Sequence, residues 1–286
     1  YGISMPRQAE PFTAAQNVKM KSVPRTTTVG GRVRNAQFWA GWRLVDTYGD
    51  QAGPRKAELV GYDDIHYLRA DAQPIINGVA IADPTPQDWQ SMVSGRDAVT
   101  VKVNISKADS DGGKFGKSLV TLLYNRANPM SFAVALADYE VAYPCRGHDR
   151  LRTPLFTSDG STRWTGALID QTLKAVMNAT LEPGERVGKT YHSKRVWVAT
   201  ALGCLNSSDA EIQAFVRWSS AESLKLYRRI GLMYQAKRRD LMATADVNTY
   251  NATLRPEIGG GDGDIATGGD EAVIADALDA EERVLA

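Results

Sequence analysis

The spacing of apolar and polar residues changes period along the chain. Phe38, Trp39, Trp42, Leu44 and Val45 fall on one helical face, which predicts an amphipathic helix beginning near residue 36. A turn over Gly49 to Pro54 is expected to end it, with a second helix opening at Pro54. Between Ile65 and Tyr124 the period becomes two and β-branched residues dominate, in DIHYLRA, GVAI, AVTVKVNIS and SLVTLLY. Asn77-Gly78 and Asp111-Gly112-Gly113 punctuate these runs as turns, so they predict a small antiparallel sheet. PTPQDWQSMVSG interrupts the sheet as a short helix or a loop.

Helical spacing returns after Met130, in SFAVALADYEVAY, GALIDQTLKAVMNATL and YHSKRVWVATALG. Ser208-x-x-Glu211 is a capping box that opens a further helix, and a long one is expected through Leu224 to Met242. Helices around one small sheet predict a mostly helical α+β domain. Residues 1–35, rich in Pro, Thr and basic side chains, read as an extended lead-in. Six glycines among residues 259–269 predict a flexible linker. After it, Val273, Ile274, Ala277, Leu278 and Leu285 form the apolar stripe of a short amphipathic helix. The expected organisation is therefore 1–35, 36–258 and 259–286.

Charge sharpens this division. The 286 residues sum to +1, but residues 259–286 hold eight carboxylates and one arginine, which is −7 and leaves +8 for the rest. A basic body suits a polyanionic ligand, and an acidic appendage suits a separate role. No apolar run approaches the ~18 residues that a membrane helix needs, and YGISMPRQAE lacks the basic and apolar regions of a secretory signal. Two cysteines and three histidines cannot build a disulfide scaffold, and a four-ligand zinc site would need both types. A reducing compartment is the default, with Cys145 and Cys204 expected as buried thiols and no function read at His66 or His148.

The chemistry-bearing residues are individually weak signals. Arg55 and Glu58 stand three apart in GPRKAEL, a spacing that by itself gives an ordinary surface pair. His192 and Arg195 in HSKR share a helical face, where an imidazole and a guanidinium can reach one ligand. Trp218 follows Arg195 by twenty-three residues and Tyr227 follows Trp218 by nine. Tyr234 lies on much the same face as Tyr227 and competes with it; the interval from Trp218 favours Tyr227.

Taken in order and spacing, these residues resemble the catalytic domain of the tyrosine recombinases, the phage integrase family, with spacing closest to its Cre-type members. GPRKAEL resembles the family's G-x-R-x-x-E-L motif, HSKR its H-x-x-R box, Trp218 its His-or-Trp position and Tyr227 its nucleophile. The resemblance spans roughly residues 36 to 235. It implies that Arg55 and Arg195 clamp a phosphate, assisted by His192 and Trp218, with Glu58 in support. The hairpin NISKADSDGGKFGKSLVTLLY resembles the one that carries the family's catalytic lysine, which makes Lys107 the candidate, with Lys102, Lys114 and Lys117 nearby as competitors.

The implied activity is site-specific DNA recombination through a covalent 3′-phosphotyrosine intermediate, with no metal, ATP or other cofactor. The implied partners are a double-stranded recombination site and a homo-tetramer on two such sites, with the C-terminal helix docking in trans. The resemblance also implies an N-terminal DNA-binding domain, of which residues 1–35 would be the linker remnant. It implies an intracellular location: a prokaryotic cytoplasm, or a nucleus for a eukaryotic mobile element. Two other readings share these residues: a type IB topoisomerase, and a DNA-binding module that has lost activity.

Overall fold

The computed structural model describes residues 9–62, 65–104, 119–205 and 207–217, all within the unit Tyr1–Gly231. The first described element corrects the expectation of an extended lead-in. Helix α1, Ala14–Met20, is opened by a capping box in which Thr13 accepts from Gln16 N and the Gln16 side chain accepts from Thr13 N. Its buried face, Gln16, Asn17 and Met20, is partly polar, so apolar periodicity missed it. A two-residue hairpin follows, β1 (Thr28–Val29) with β2 (Arg32–Val33).

Helix α2, Ala36–Ala52, starts at Asn35, whose side chain accepts from Phe38 N at 2.8 Å. It runs past the turn expected at Gly49 and stops at Gly53, which sits in the left-handed region at φ +55°. Gly49 is a packing residue, because a Cβ there would meet Tyr191 Oη at 2.8 Å. The short α3, Lys56–Val60, follows.

The sheet has the order β4-β3-β5-β6, antiparallel throughout. Its strands are β3 (Ala72–Ile76), β4 (Val79–Ala80), β5 (Ala98–Lys102) and β6 (Leu119–Leu123). Asn77 and Gly78, both at positive φ, make the β3–β4 turn that the Asn-Gly pair predicts. The ambiguous segment before β5 is helix α4, Pro86–Ser91, capped by Thr85 and Asp88. It packs on β3 and on α5, Phe132–Ala142, which packs in turn on β6 and α2.

The remaining described helices are α6 (Gly166–Thr180), α7 (His192–Cys204) and α8 (Asp209–Val216), the last opened by the expected capping box at Ser208. Cys204 ends α7 and is exposed, and Cys145 is half-buried, which corrects the expectation of two buried thiols. The last turn of α7 packs through Leu202 and Gly203, and Cys204, its final residue, is left outside that contact. Aromatic rings fill the core: Tyr48 lies 5.0 Å from Phe132 and 5.2 Å from Phe156, centroid to centroid. Beside them, the buried Glu140 carboxylate takes both Arg69, at 2.9 and 2.6 Å, and Arg150, and fastens the start of β3 to α5. Thus α2, α5 and the sheet form a packed block against which α7 is laid. No helix among the described residues is long and apolar enough to cross a membrane.

Candidate active site

The crossing of α2 and α7 determines where the site forms. Glycines at positions 49 and 53 lie one turn apart on α2 and its cap, and α7 approaches closely enough that a Cβ on Gly53 would meet Val198 at 3.4 Å. Two buried carboxylates on the same side of α2, Asp46 and Asp50, receive the Lys194 ammonium at 2.6 and 2.7 Å. Lys21, immediately after α1, pairs with the same two carboxylates, and Asn17 Oδ1 accepts from Lys194 at 3.1 Å. Burial pushes the Asp46 carboxyl up, and the charges of Lys194 and Lys21 more than reverse this, holding it below its ordinary value. α1, α2 and α7 are thereby fastened together inside the H-S-K-R sequence itself.

On this frame two of the expected residues, Arg55 and His192, meet at one cleft, and a third, Arg195, is buried near His192. Arg55 is the N-cap residue of α3, and its side chain makes no capping hydrogen bond. His192 begins α7, and both line one cleft of about 790 Å³. Arg195, one turn after His192, is buried at 3% exposure. Its Nη1 donates to Gly53 O at 2.5 Å and its Nη2 to Val216 O at 2.8 Å. Burial, then the positive charges of Arg195 and Arg55, hold the His192 imidazole below its ordinary pKa of 6.5. The imidazole is therefore neutral at pH 7 and able to accept a proton.

The cleft is basic beyond the expected set. Lys56, Lys174, Arg186 and Lys189 line it together with Arg55, and Asp170 is the sole carboxylate among its lining residues, paired with Lys56 at 2.5 Å. Lys174 went unrecognised because it lies on α6, eighteen residues before His192, and Arg186 and Lys189, six and three residues before it, because they fall outside the H-x-x-R spacing itself. The +8 excess of the body was the signal for them, but it carries no address. Among the described residues no group of three or more His, Cys, Asp or Glu side chains is placed to hold a metal ion.

Glu58 departs from the pairing that its spacing suggests. Its carboxylate, 4% exposed, accepts from Arg217 Nη2 at 2.9 Å rather than from Arg55. Arg55 precedes the first helical residue and has extended backbone, so the i,i+3 geometry of a helix does not apply to it. Arg217 is a residue that sequence reasoning missed. Lys107, Trp218 and Tyr227, with Tyr234 and the helix expected at the C-terminus, lie outside the described residues. The strand ends that flank Lys107 are described: Lys102 pairs with Leu119 at the end of the β5–β6 ladder nearest in sequence to Lys107.

No family model matches the chain, and no curated protein does. Among solved structures it is similar to XerA recombinase, at 11% identity and a TM-score of 0.49, over 85% of this chain and 66% of that one. It is also similar to XerH site-specific recombinase bound to difH substrate in a pre-cleavage complex, at 15% identity and a TM-score of 0.48, over 84% of this chain. The chain spans 56% of the length of that XerH structure.

Proposed function

We propose that this chain is the catalytic part of a tyrosine-type site-specific DNA recombinase, which cuts and rejoins DNA strands through a 3′-phosphotyrosine. The observation that carries the reading is the meeting of Arg55 and His192 at one basic cleft, with the buried Arg195 close enough for its charge to act on the His192 imidazole, although Arg55 and His192 stand 137 positions apart in the chain. In the proposed reaction the Tyr227 hydroxyl attacks the scissile phosphorus, forming an O–P bond as the bond to the 5′ oxygen breaks. The phenol proton passes to a base, for which the neutral His192 is suited, and Lys107 supplies a proton to the departing 5′ oxygen. Guanidinium donors stabilise the charge that builds on the nonbridging oxygens. Because the phosphotyrosyl linkage keeps the energy of the broken phosphodiester, attack by a 5′ hydroxyl reseals the strand without ATP.

The remaining elements of the reading are assembly as a tetramer on two sites, docking of residues 270–286 on a neighbouring subunit, and an intracellular location. The apolar stripe of Val273, Ile274, Ala277 and Leu278 in the sequence supports the docking, and the linker of residues 259–269 reaches roughly 17–20 Å if flexible.

The test is covalent trapping on a pool of nicked duplexes with randomised sequence, resolved by denaturing electrophoresis. Wild-type protein is expected to yield an adduct and Tyr227→Phe to yield none while still binding DNA. An adduct that persists in Tyr227→Phe and vanishes in Tyr234→Phe overturns the nucleophile. Absence of any wild-type adduct overturns the reading, and relaxation of supercoiled plasmid by monomer moves it to the topoisomerase class.

A further inference from the structure

Arg217 occupies an unusual position. It follows the last turn of α8 with φ +56°, in the left-handed region that a residue with a Cβ avoids, and it is one of two non-glycine residues at positive φ among the described residues. Its side chain does not turn to solvent: it is 14% exposed and ends on the Glu58 carboxylate, itself 4% exposed. Nε and Nη1 are buried and have no hydrogen-bond partner among the described residues, and Glu58 is the carboxylate among them that pairs with the cation. Burial would push the guanidinium down, and the Glu58 charge leads the groups that reverse this and keep it firmly protonated. A strained backbone and a costly buried charge at one residue call for a reason.

A second tie runs beside the first. Arg195 Nη2 holds Val216 O, the carbonyl immediately before Arg217, while its Nη1 holds Gly53 O, two residues before Arg55. Both ties therefore join the end of α8 to the segment that carries Arg55. One passes through Glu58 on α3, the other through the arginine of the H-x-x-R box. The residue after Arg217 is Trp218.

We propose that Arg217 is a positioning residue for strand cleavage: with Glu58 it fixes the direction in which the chain leaves α8, on its way in sequence to Trp218 and Tyr227, relative to the segment that carries Arg55. The inference rests on the recombinase reading above. Arg217 does not line the basic cleft, so it acts on the cleavage step and leaves DNA affinity to the cleft's own cations.

The experiment uses the full chain and a nicked duplex recovered from the wild-type adduct. Replacing the pair together, Glu58→Leu with Arg217→Met, removes both charges at similar volume and leaves neither member of the ion pair buried without the other. The expected result is a fall of at least roughly tenfold in single-turnover adduct formation at saturating DNA, with the dissociation constant within about twofold of wild type. Arg217→Lys, which keeps the cation, is expected to restore most of the rate. Arg217→Gln keeps a donor for Glu58 and takes the place of the double variant if that chain does not fold.

Wild-type rate in the folded double variant, or in Arg217→Gln where it stands in, overturns the inference. So does a parallel loss of rate, affinity and thermal stability, which marks a purely structural pair. Failure of the recombinase reading is distinct, because it shows in the wild-type chain as absence of adduct.

Discussion

Replacing Lys194 by methionine tests the frame on which the site is built. The ammonium is fully buried and lies 2.6 Å from Asp46 and 2.7 Å from Asp50, which are 1% and 5% exposed. With Lys21 the cluster is neutral; without Lys194 it holds two buried carboxylates against one lysine. Removing one member of a buried pair costs about 3–5 kcal/mol, because the partner left behind keeps its desolvation penalty. That is a large share of a total stability of about 5–15 kcal/mol. At roughly 2–4 °C per kcal/mol for a domain of this size, the melting temperature should fall by about 6–20 °C.

Thermal and urea unfolding followed by circular dichroism measure the loss. Adding Asp50→Asn to Lys194→Met removes the surplus charge and should recover part of it, with a coupling of about 0.5–3 kcal/mol. pH supplies a second signature. The Asp46 carboxyl lies below 3.8 in the folded chain, so near pH 4 the unfolded chain binds more protons. Its contribution is present above pH 3.8 and is lost as pH falls through the folded value. Lys194→Met removes the larger of the two charges that hold Asp46 down, so this acid-induced loss should shrink or change sign. A loss under about 1 kcal/mol, or an unchanged acid profile, refutes the account.

Three further outcomes are expected. His192, depressed below 6.5, lowers stability as pH falls from 6.5 toward its folded value, so His192→Gln should flatten unfolding profiles in that window; an identical slope in both chains refutes the shift. A DNA substrate with a 5′-bridging sulfur, which departs without a proton, should rescue cleavage by Lys107→Ala, whereas rescue of Lys102→Ala alone would move the role. Truncation after Ile258 should weaken assembly of paired sites and leave single-site binding about unchanged; tighter single-site binding would instead mark an acidic tail that covers the DNA face.

The sequence was most legible where one local rule sufficed. The cap at Ser208, the Asn-Gly turn and the apolar stripes of α2, α5 and α6 lie within two or three residues of where their signals put them. Legibility failed where a residue's role came from a distant partner. Gly49 reads as a breaker until α7 packs against it, and Glu58 reads as a partner for Arg55 until Arg217 arrives from 159 residues away. Lys194 was invisible inside H-S-K-R, although Asp46 and Asp50, spaced one turn apart on an apolar helix face, were a sign that a buried cation would be needed.

The two arginines of the expected clamp are held in different ways, and this bears on the proposed chemistry. Arg195 is buried and already bonded to Gly53 O and Val216 O, so its plane is fixed by the fold before any DNA arrives. Arg55 stands at the rim of the cleft on a helix start that its own side chain does not cap. Two carbonyls bonded through Nη1 and Nη2 dictate the orientation of the whole guanidinium plane. Donors oriented in advance do not pay reorganisation when charge develops on a phosphate, which is where preorganised electrostatics contribute most. In the proposed reaction the buried arginine therefore supplies geometry and the rim arginine supplies capture. The Val216 O bond that orients Arg195 also holds the end of α8, so in the proposed reaction the group that stabilises the transition state and the segment that leads in sequence to Tyr227 are set by one side chain.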